Sequence, residues 1–347
     1  MRTVTSLFLS LCLMPLAAGC GVQNWWTGAT QGTLLQGLDV VLTPGQPVKL
    51  RMSLRGGGTL GTLSDYTVLY YYNDQFIGSA KTNSAGLAVI EHTFPGPGLY
   101  TVTATLDRAE IGKAQMPTAE LLVGLFPPEQ PMMIIDLDKT LVASGFDAVL
   151  MGEAEPFPHG QAVMEQLAGE YQVVYLTDRP DYLVRRSRQW LQEHRFPSGP
   201  LLTKSRESSL SSGQFKSRRL GQLKESFPNI RFGVGNIISD AVVYHDNGLQ
   251  PFLLIPTNDL TPQQLRVVAN QLEKAPADTQ VIGDWQDLPA VLAGKADYSR
   301  PAVQQALRRL ADERASTQPT RPATTQPAGA PWGASLPSIP SGPEGGS

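Results

Sequence analysis

Two carboxylates stand two residues apart in the stretch MIIDLDKTLV, Met133 to Val142, directly behind an apolar run. In an extended segment Asp136 and Asp138 point to the same side. Two further apolar runs lead into polar groups: YQVVYLT ends at Thr177 with Asp178 next, and IRFGVGN ends in Gly235 and Asn236, with Asp240 shortly after. In an open parallel sheet, ligands bind beyond the carboxyl ends of the strands, where helix N-termini also gather. Carboxylates converging on one such edge cannot all stay ionised alone; a divalent cation is the usual remedy, and oxygen-only ligands favour Mg2+. That cation would attract a phosphate, whose oxygens the hydroxyl of Thr177, backbone N–H groups and a lysine would cradle. Taken alone, the Asp136/Asp138 pair also reads as a loop cap.

The run DLDKT resembles the first motif of the haloacid dehalogenase superfamily of phosphatases. Thr177 in VVYLTDRP matches its second motif, Lys216 its third, and GNIISD, Gly235 to Asp240, its fourth, in the family's order. The segments YLTDRPDYLVRRSRQWL, GPLLTKSRES, FKSRRLGQLKESFP and FGVGNIISDAVVYHDNGLQPFLLI further resemble the catalytic domain of lipin-type phosphatidate phosphatases, with Tyr244 at a position where that family carries a tyrosine. The likeness runs from about residue 130 to about 260. It implies Asp136 as nucleophile forming an aspartyl-phosphate and Asp138 as acid/base, with Thr177, Asp178 and Lys216 on the phosphate. It also implies Mg2+ held by Asp136, Asp138 and Asp240 with Asn236. Lys139 departs from the glycine usual in the lipin form of the first motif. Lys204 and Lys224 compete with Lys216 for its role, but Phe215-Lys216 fits the family pattern. His159 and His245 read as structural.

The elements that must position these residues follow from the hydrophobic period. From 128 to 296, apolar runs of parallel-sheet type (MMIID, YQVVYLT, IRFGVGN, PFLLIP) alternate with helical patterns, which predicts a doubly wound α/β sheet. One helix is expected after Pro180 with Asp181 as cap and Leu183, Ser187, Trp190 and Leu191 on one face; another, in TPQQLRVVANQLEK, has Thr261 as cap and Pro262 at its first position. About forty residues separate Asp136 from Thr177, and about forty more lead to Lys216, so no sizeable cap domain fits and the site is expected to be uncapped. A further helix is expected over 297–314, and a disordered Pro/Gly/Ser/Thr tail over 315–347. Upstream, seven short alternating runs over 37–125, with NSAG and PGPG between them, predict a separate all-β antiparallel sandwich that resembles bacterial immunoglobulin-like modules. A spacer or structural platform is its expected role.

Residues 1–19 read as a signal peptide: Arg2, an apolar run too short to span a bilayer, and LAAGC, which resembles a lipoprotein lipobox with Cys20 as the lipidated residue. An ordinary secretory signal is the alternative. Cys12 leaves with the signal, so the mature chain keeps one cysteine and forms no internal disulfide. Residues 20–36 read as a tether, and Val22 in place of an Asp favours the outer membrane by that resemblance. The net charge of −3 carries no nucleic-acid signature. Between Arg179 and Arg219, however, ten Lys/Arg face three acids, a local +7 that suits anionic lipid or a solvated helix face. Three functions remain open: a membrane-tethered phosphatase of phosphatidate or a related lipid phosphate, an exported phosphatase of soluble or macromolecular phosphomonoesters, and a non-catalytic module that binds lipid phosphate.

Overall fold

The computed structural model describes residues 33–317, apart from 57–60, 112–115, 146–147, 150–151, 153 and 207. The signal region, Cys20, most of the expected tether and the tail beyond 317 lie outside the described residues.

The N-terminal part is all β. One sheet carries β1 (Thr33–Leu38), β3 (Val48–Gly56), β4 (Gly61–Thr62) and β7 (Leu87–His92). The other holds β2 (Val40–Leu42), β9 (Thr118–Leu125), β8 (Gly98–Leu106), β5 (Thr67–Tyr72) and β6 (Gln75–Lys81), in that order. Strict alternation on β3 turns Val48, Leu50, Met52 and Leu54 inward, where Val68, Tyr70, Val102, Leu121 and Val123 of the facing sheet meet them. The arrangement is compatible with immunoglobulin-like strands.

Two features differ from the sequence reading. Thr33–Leu38 falls within the expected tether up to residue 36, yet it pairs antiparallel with β3, because Leu35 reaches the shared core. The strands are also not purely antiparallel, since β2 runs parallel to β9. A single residue, Asp39, separates β1 from β2, and there the chain passes from one sheet to the other.

The C-terminal part is α/β. Six strands lie in the order β12 (Leu201–Lys204), β11 (Gln172–Pro180), β10 (Met132–Ile135), β13 (Ile230–Gly235), β14 (Gln250–Leu254) and β15 (Gln280–Ile282). Every neighbouring pair is parallel. Met133 and Ile135 of β10 enter one core with α1 (Gly160–Ala168), Trp190 and Leu288. Met132 and Ile134 enter another with α3 (Ser212–Ser226) and α4 (Ile238–Asp246). That two-sided burial is why the run before Asp136 is apolar without alternation. The chain leaves β10 toward β11 and β12, then returns to its other side at β13, so the carboxyl end of β10 is the topological switch point. The two edge strands, β12 and β15, were not expected; at four and three residues they leave too short an apolar run to read.

A 3₁₀ turn, Asp181–Leu183, leads into α2 (Val184–Glu193). Leu183, Ser187, Trp190 and Leu191 are buried as expected, but Asp181 makes no cap; its carboxylate lies 3.7 Å from Arg55 of the all-β part. Thr261 and Gln264 form a capping box on α5 (Pro262–Leu272), with Pro262 at the start. After α6 (Asp287–Leu292), α7 (Arg300–Thr317) packs on α5 through Leu307 and Ala311, extending beyond the expected 297–314 and into the expected tail. No helix among the described residues is long and apolar enough to cross a membrane.

Candidate active site

Asp136 follows β10 directly, and its backbone N–H still donates to Val234 O on β13 at 3.0 Å, so the carboxylate is held at the sheet edge by the ladder itself. Leu137 points into the core, and the N–H groups of Thr140, Leu141 and Val142 all donate to its carbonyl. This tight turn places Lys139 at φ +55, a left-handed conformation that glycine adopts without strain and a lysine does not. The glycine usual at this place in the lipin form thus has a backbone reason. Trp285 Nε1 donates to Thr140 O at 2.9 Å and pins the turn from the side of α6.

Lys216 is the lysine that reaches Asp136. It projects from the second turn of α3, whose start is secured by a Ser211/Gln214 capping box, and its ammonium lies 3.1 Å from Asp136 Oδ1 and 2.7 Å from Asp240 Oδ1. All three side chains are buried. The competing Lys204 pairs with Asp178 at 2.7 Å, and Lys224 donates to Pro228 O at the surface. Burial pushes the Asp136 carboxyl up to about 7; Lys216 pulls it down, while Asp240 and Asp138 add to the rise. The two carboxylates in turn hold Lys216 well above its ordinary value, against its own desolvation.

Asp240 sits in the first turn of α4, where its Oδ2 accepts the N–H of Asn236 at 3.3 Å. Its approach to β13 requires glycine: a Cβ on Gly235 would stand 2.5 Å from Asp240 Oδ2, and one on Gly233 would stand 2.6 Å from the Tyr244 ring. Tyr244 donates to Val234 O at 3.3 Å and is fully buried, so it supports the site from behind.

Thr177 is buried on β11, close to the end of that strand, and its Oγ accepts the N–H of Arg179 at 3.3 Å. Asp178 turns to Lys204 at the rim, so its carboxylate is committed to an ion pair. Arg179 is the residue that sequence reasoning missed, counting it only as part of a basic stretch. Its Nε and Nη2 donate to the two oxygens of Asp138 at 2.9 and 2.7 Å, and its Nη1 donates to Ser187 Oγ at 2.9 Å. Both oxygens of Asp138 are therefore committed to Arg179, and no three-carboxylate cluster forms among the described residues.

Of the expected metal set, Asp138 is paired with Arg179, and Asp136 and Asp240 with Lys216. Asp136 and Asp240, tied to one ammonium, remain close enough to share a cation, with Asn236 beside them. Two hard oxygen ligands suit Mg2+, which commonly binds one or two carboxylates and keeps several waters. His159 and His245 pair with Asp284 and Asp278 at the surface, as structural readings require.

Residues 133–253 match the family model for the LNS2 domain of PITM 1-3, a stretch that contains Asp136, Asp138, Thr177, Lys216 and Asp240. No curated protein matches the chain. Among solved structures, a chain of the Pnkp1/Rnl/Hen1 RNA repair complex is similar at 15% identity and a TM-score of 0.33, over 36% of this chain and 42% of that one. The CARDB domain of the PF1109 protein from Pyrococcus furiosus is similar at 17% identity and a TM-score of 0.21, over 28% of this chain and 92% of that one. The fibronectin(III)-like modules of Clostridium thermocellum CbhA are similar at 14% and 0.20, over 26% and 97%. At such scores these likenesses carry no weight for function.

Proposed function

We propose that the α/β part is a Mg2+-dependent phosphoric monoester hydrolase of the haloacid dehalogenase type, lipin-like, acting on phosphatidate or a related lipid phosphate. The observation that carries this reading is the buried Lys216 shared between Asp136 and Asp240 at the switch point of the sheet, inside the stretch that matches the LNS2 model.

In this reading an Asp136 oxygen attacks phosphorus, the ester P–O bond breaks, and the departing alkoxide takes a proton from Asp138. Asp138, now ionised, removes a proton from water as that water attacks the aspartyl-phosphate; the bond to Asp136 breaks and inorganic phosphate leaves. Thr177 Oγ and the backbone amides at the strand ends bind phosphoryl oxygens, and Lys216 offsets negative charge on nucleophile and phosphate. A Mg2+ held by Asp136 and Asp240, with Asn236 nearby, supplies neutralising charge for the phosphoryl oxygens when bound.

A lipid substrate is supported by the uncapped spacing of the motifs and by the lipobox-like LAAGC ending at Cys20, which would tether the chain to a bacterial membrane, the outer membrane facing the periplasm by the Val22 criterion. The basic stretch supports it less than its count implies. Arg179, Arg188, Lys204 and Lys216 are each paired with an aspartate within the fold.

A second reading, a module that binds lipid phosphate without turnover, is favoured by Asp138 being held by Arg179. Phosphate release in Mg2+, from phosphatidate in mixed micelles and from a panel of soluble phosphomonoesters, separates these readings. Turnover of lipid phosphate that disappears in Asp136→Asn supports the proposal. Turnover of soluble esters alone points to an exported phosphatase of other substrates, and binding without release points to the module. Retention of Cys20→Ser on membranes would sink the anchor.

A further inference from the structure

The all-β part does more than stand beside the α/β part; three of its polar side chains grip the segment that follows Arg179. The side chain of Asp39, at the passage between β1 and β2, is fully buried. Its Oδ1 accepts Arg188 Nη2 at 2.6 Å and the N–H of Leu122 at 2.7 Å, and its Oδ2 accepts the N–H of Leu201 on β12 at 2.8 Å. Arg188 also donates from Nη1 to Glu120 O at 2.8 Å. Gln36 Nε2 donates to Tyr182 O at 2.5 Å, and Arg55 faces Asp181 at 3.7 Å. A buried carboxylate without donors is expensive, and here two amides and a guanidinium satisfy it. These contacts converge on the 3₁₀ turn, α2 and the start of β12.

The same segment holds Arg179. One end of its guanidinium is bound to Ser187, the residue before Arg188 on α2, and the other end grips Asp138. A continuous set of short polar contacts and one helix therefore runs from Asp39 to the Asp138 carboxylate.

We propose that the all-β part is a positioning element of the reaction: Asp39, acting through Arg188, seats α2 and with it Ser187 and Arg179, and so sets where the Asp138 carboxylate stands. This rests on the reading of Asp138 as acid/base. Misplacing that group penalises departure of an alkoxide, which needs a proton, and leaves departure of p-nitrophenolate, a stable anion, nearly untouched. Loss of folded protein lowers both equally.

The test is kcat/KM of the membrane-extracted full chain for phosphatidate and for p-nitrophenyl phosphate, in wild type, Asp39→Asn and Gln36→Leu. General acid–base catalysis contributes about 10²- to 10⁴-fold, so partial misplacement should lower the phosphatidate value by about tenfold or more relative to p-nitrophenyl phosphate. Gln36→Leu, which removes only the bond to the Tyr182 carbonyl, should shift the ratio in the same direction by less. An unchanged ratio in both variants overturns the proposal, and so does failure of both to fold, which makes the interface a stability element alone. If wild type turns over neither ester, the phosphatase reading fails and this inference with it.

Discussion

Replacing Lys216 with methionine removes one ammonium while keeping most of the side chain's volume. In the wild type that ammonium lies 3.1 Å from Asp136 and 2.7 Å from Asp240, with all three groups buried. Removing one partner of a buried ionic cluster costs about 3–5 kcal/mol, because a charge is left uncompensated. Asp136 can escape part of that cost by binding a proton, since burial already pushes it up to about 7. The sign follows from linkage. Below pH 7 the folded state keeps a proton on Asp136 that the unfolded chain has released, so metal-free stability falls as pH rises from about 4 to 7. Without Lys216, whose charge lowers the Asp136 value, that decline extends to higher pH. The variant should therefore lose more at pH 8 than at pH 6. A loss of about 3 kcal/mol corresponds to roughly 6–12 °C in Tm for a domain of this size. Thermal melts followed by circular dichroism, in chelator, at both pH values measure this; added Mg2+ should recover part of the loss at pH 8. An unchanged Tm at pH 8, or a loss equal at both pH values, refutes the coupling.

Two further substitutions probe the frame around the site. Lys139→Gly should relieve the left-handed strain at φ +55 and raise the urea midpoint, by a gain of up to about 1 kcal/mol, and a lower midpoint would show that the lysine side chain is needed. Gly235→Ala should destabilise by about 1–3 kcal/mol and lower phosphatase activity together, because the new Cβ meets the Asp240 carboxylate; a stable variant of full activity would show that α4 can shift freely.

Several features were legible because their causes lie within a few residues. Spacing by two sets Asp136 and Asp138 on one side of an extended segment, and Thr261, Pro262 and Gln264 start α5 through bonds that close within one turn. The apolar lead into Asp136 announced a strand buried on both faces, which β10 is. Other features were hidden because a local pattern says nothing about partners. Which lysine meets Asp136 depended on α3 carrying Lys216 over the sheet edge while Lys204 met Asp178. The basic stretch looked like surface charge, but a count cannot see that Arg188 is neutralised by Asp39, 149 residues away. Most of strand β1, Thr33 to Gln36, was read as tether because the segment leading through it is polar and Gly/Thr-rich, and its place depends on Leu35 finding a core that β3 supplies. Arg179 lay next to a recognised motif and went unread, since only the folded chain brings Asp138 and Ser187 to opposite ends of its guanidinium. By itself the sequence determined which chemical groups stand at the strand ends, because strand period and turn chemistry act over neighbouring residues. Which charge faces which, and so what each group can do, was decided by the tertiary structure, because burial makes a charge depend on partners brought in from distant parts of the chain.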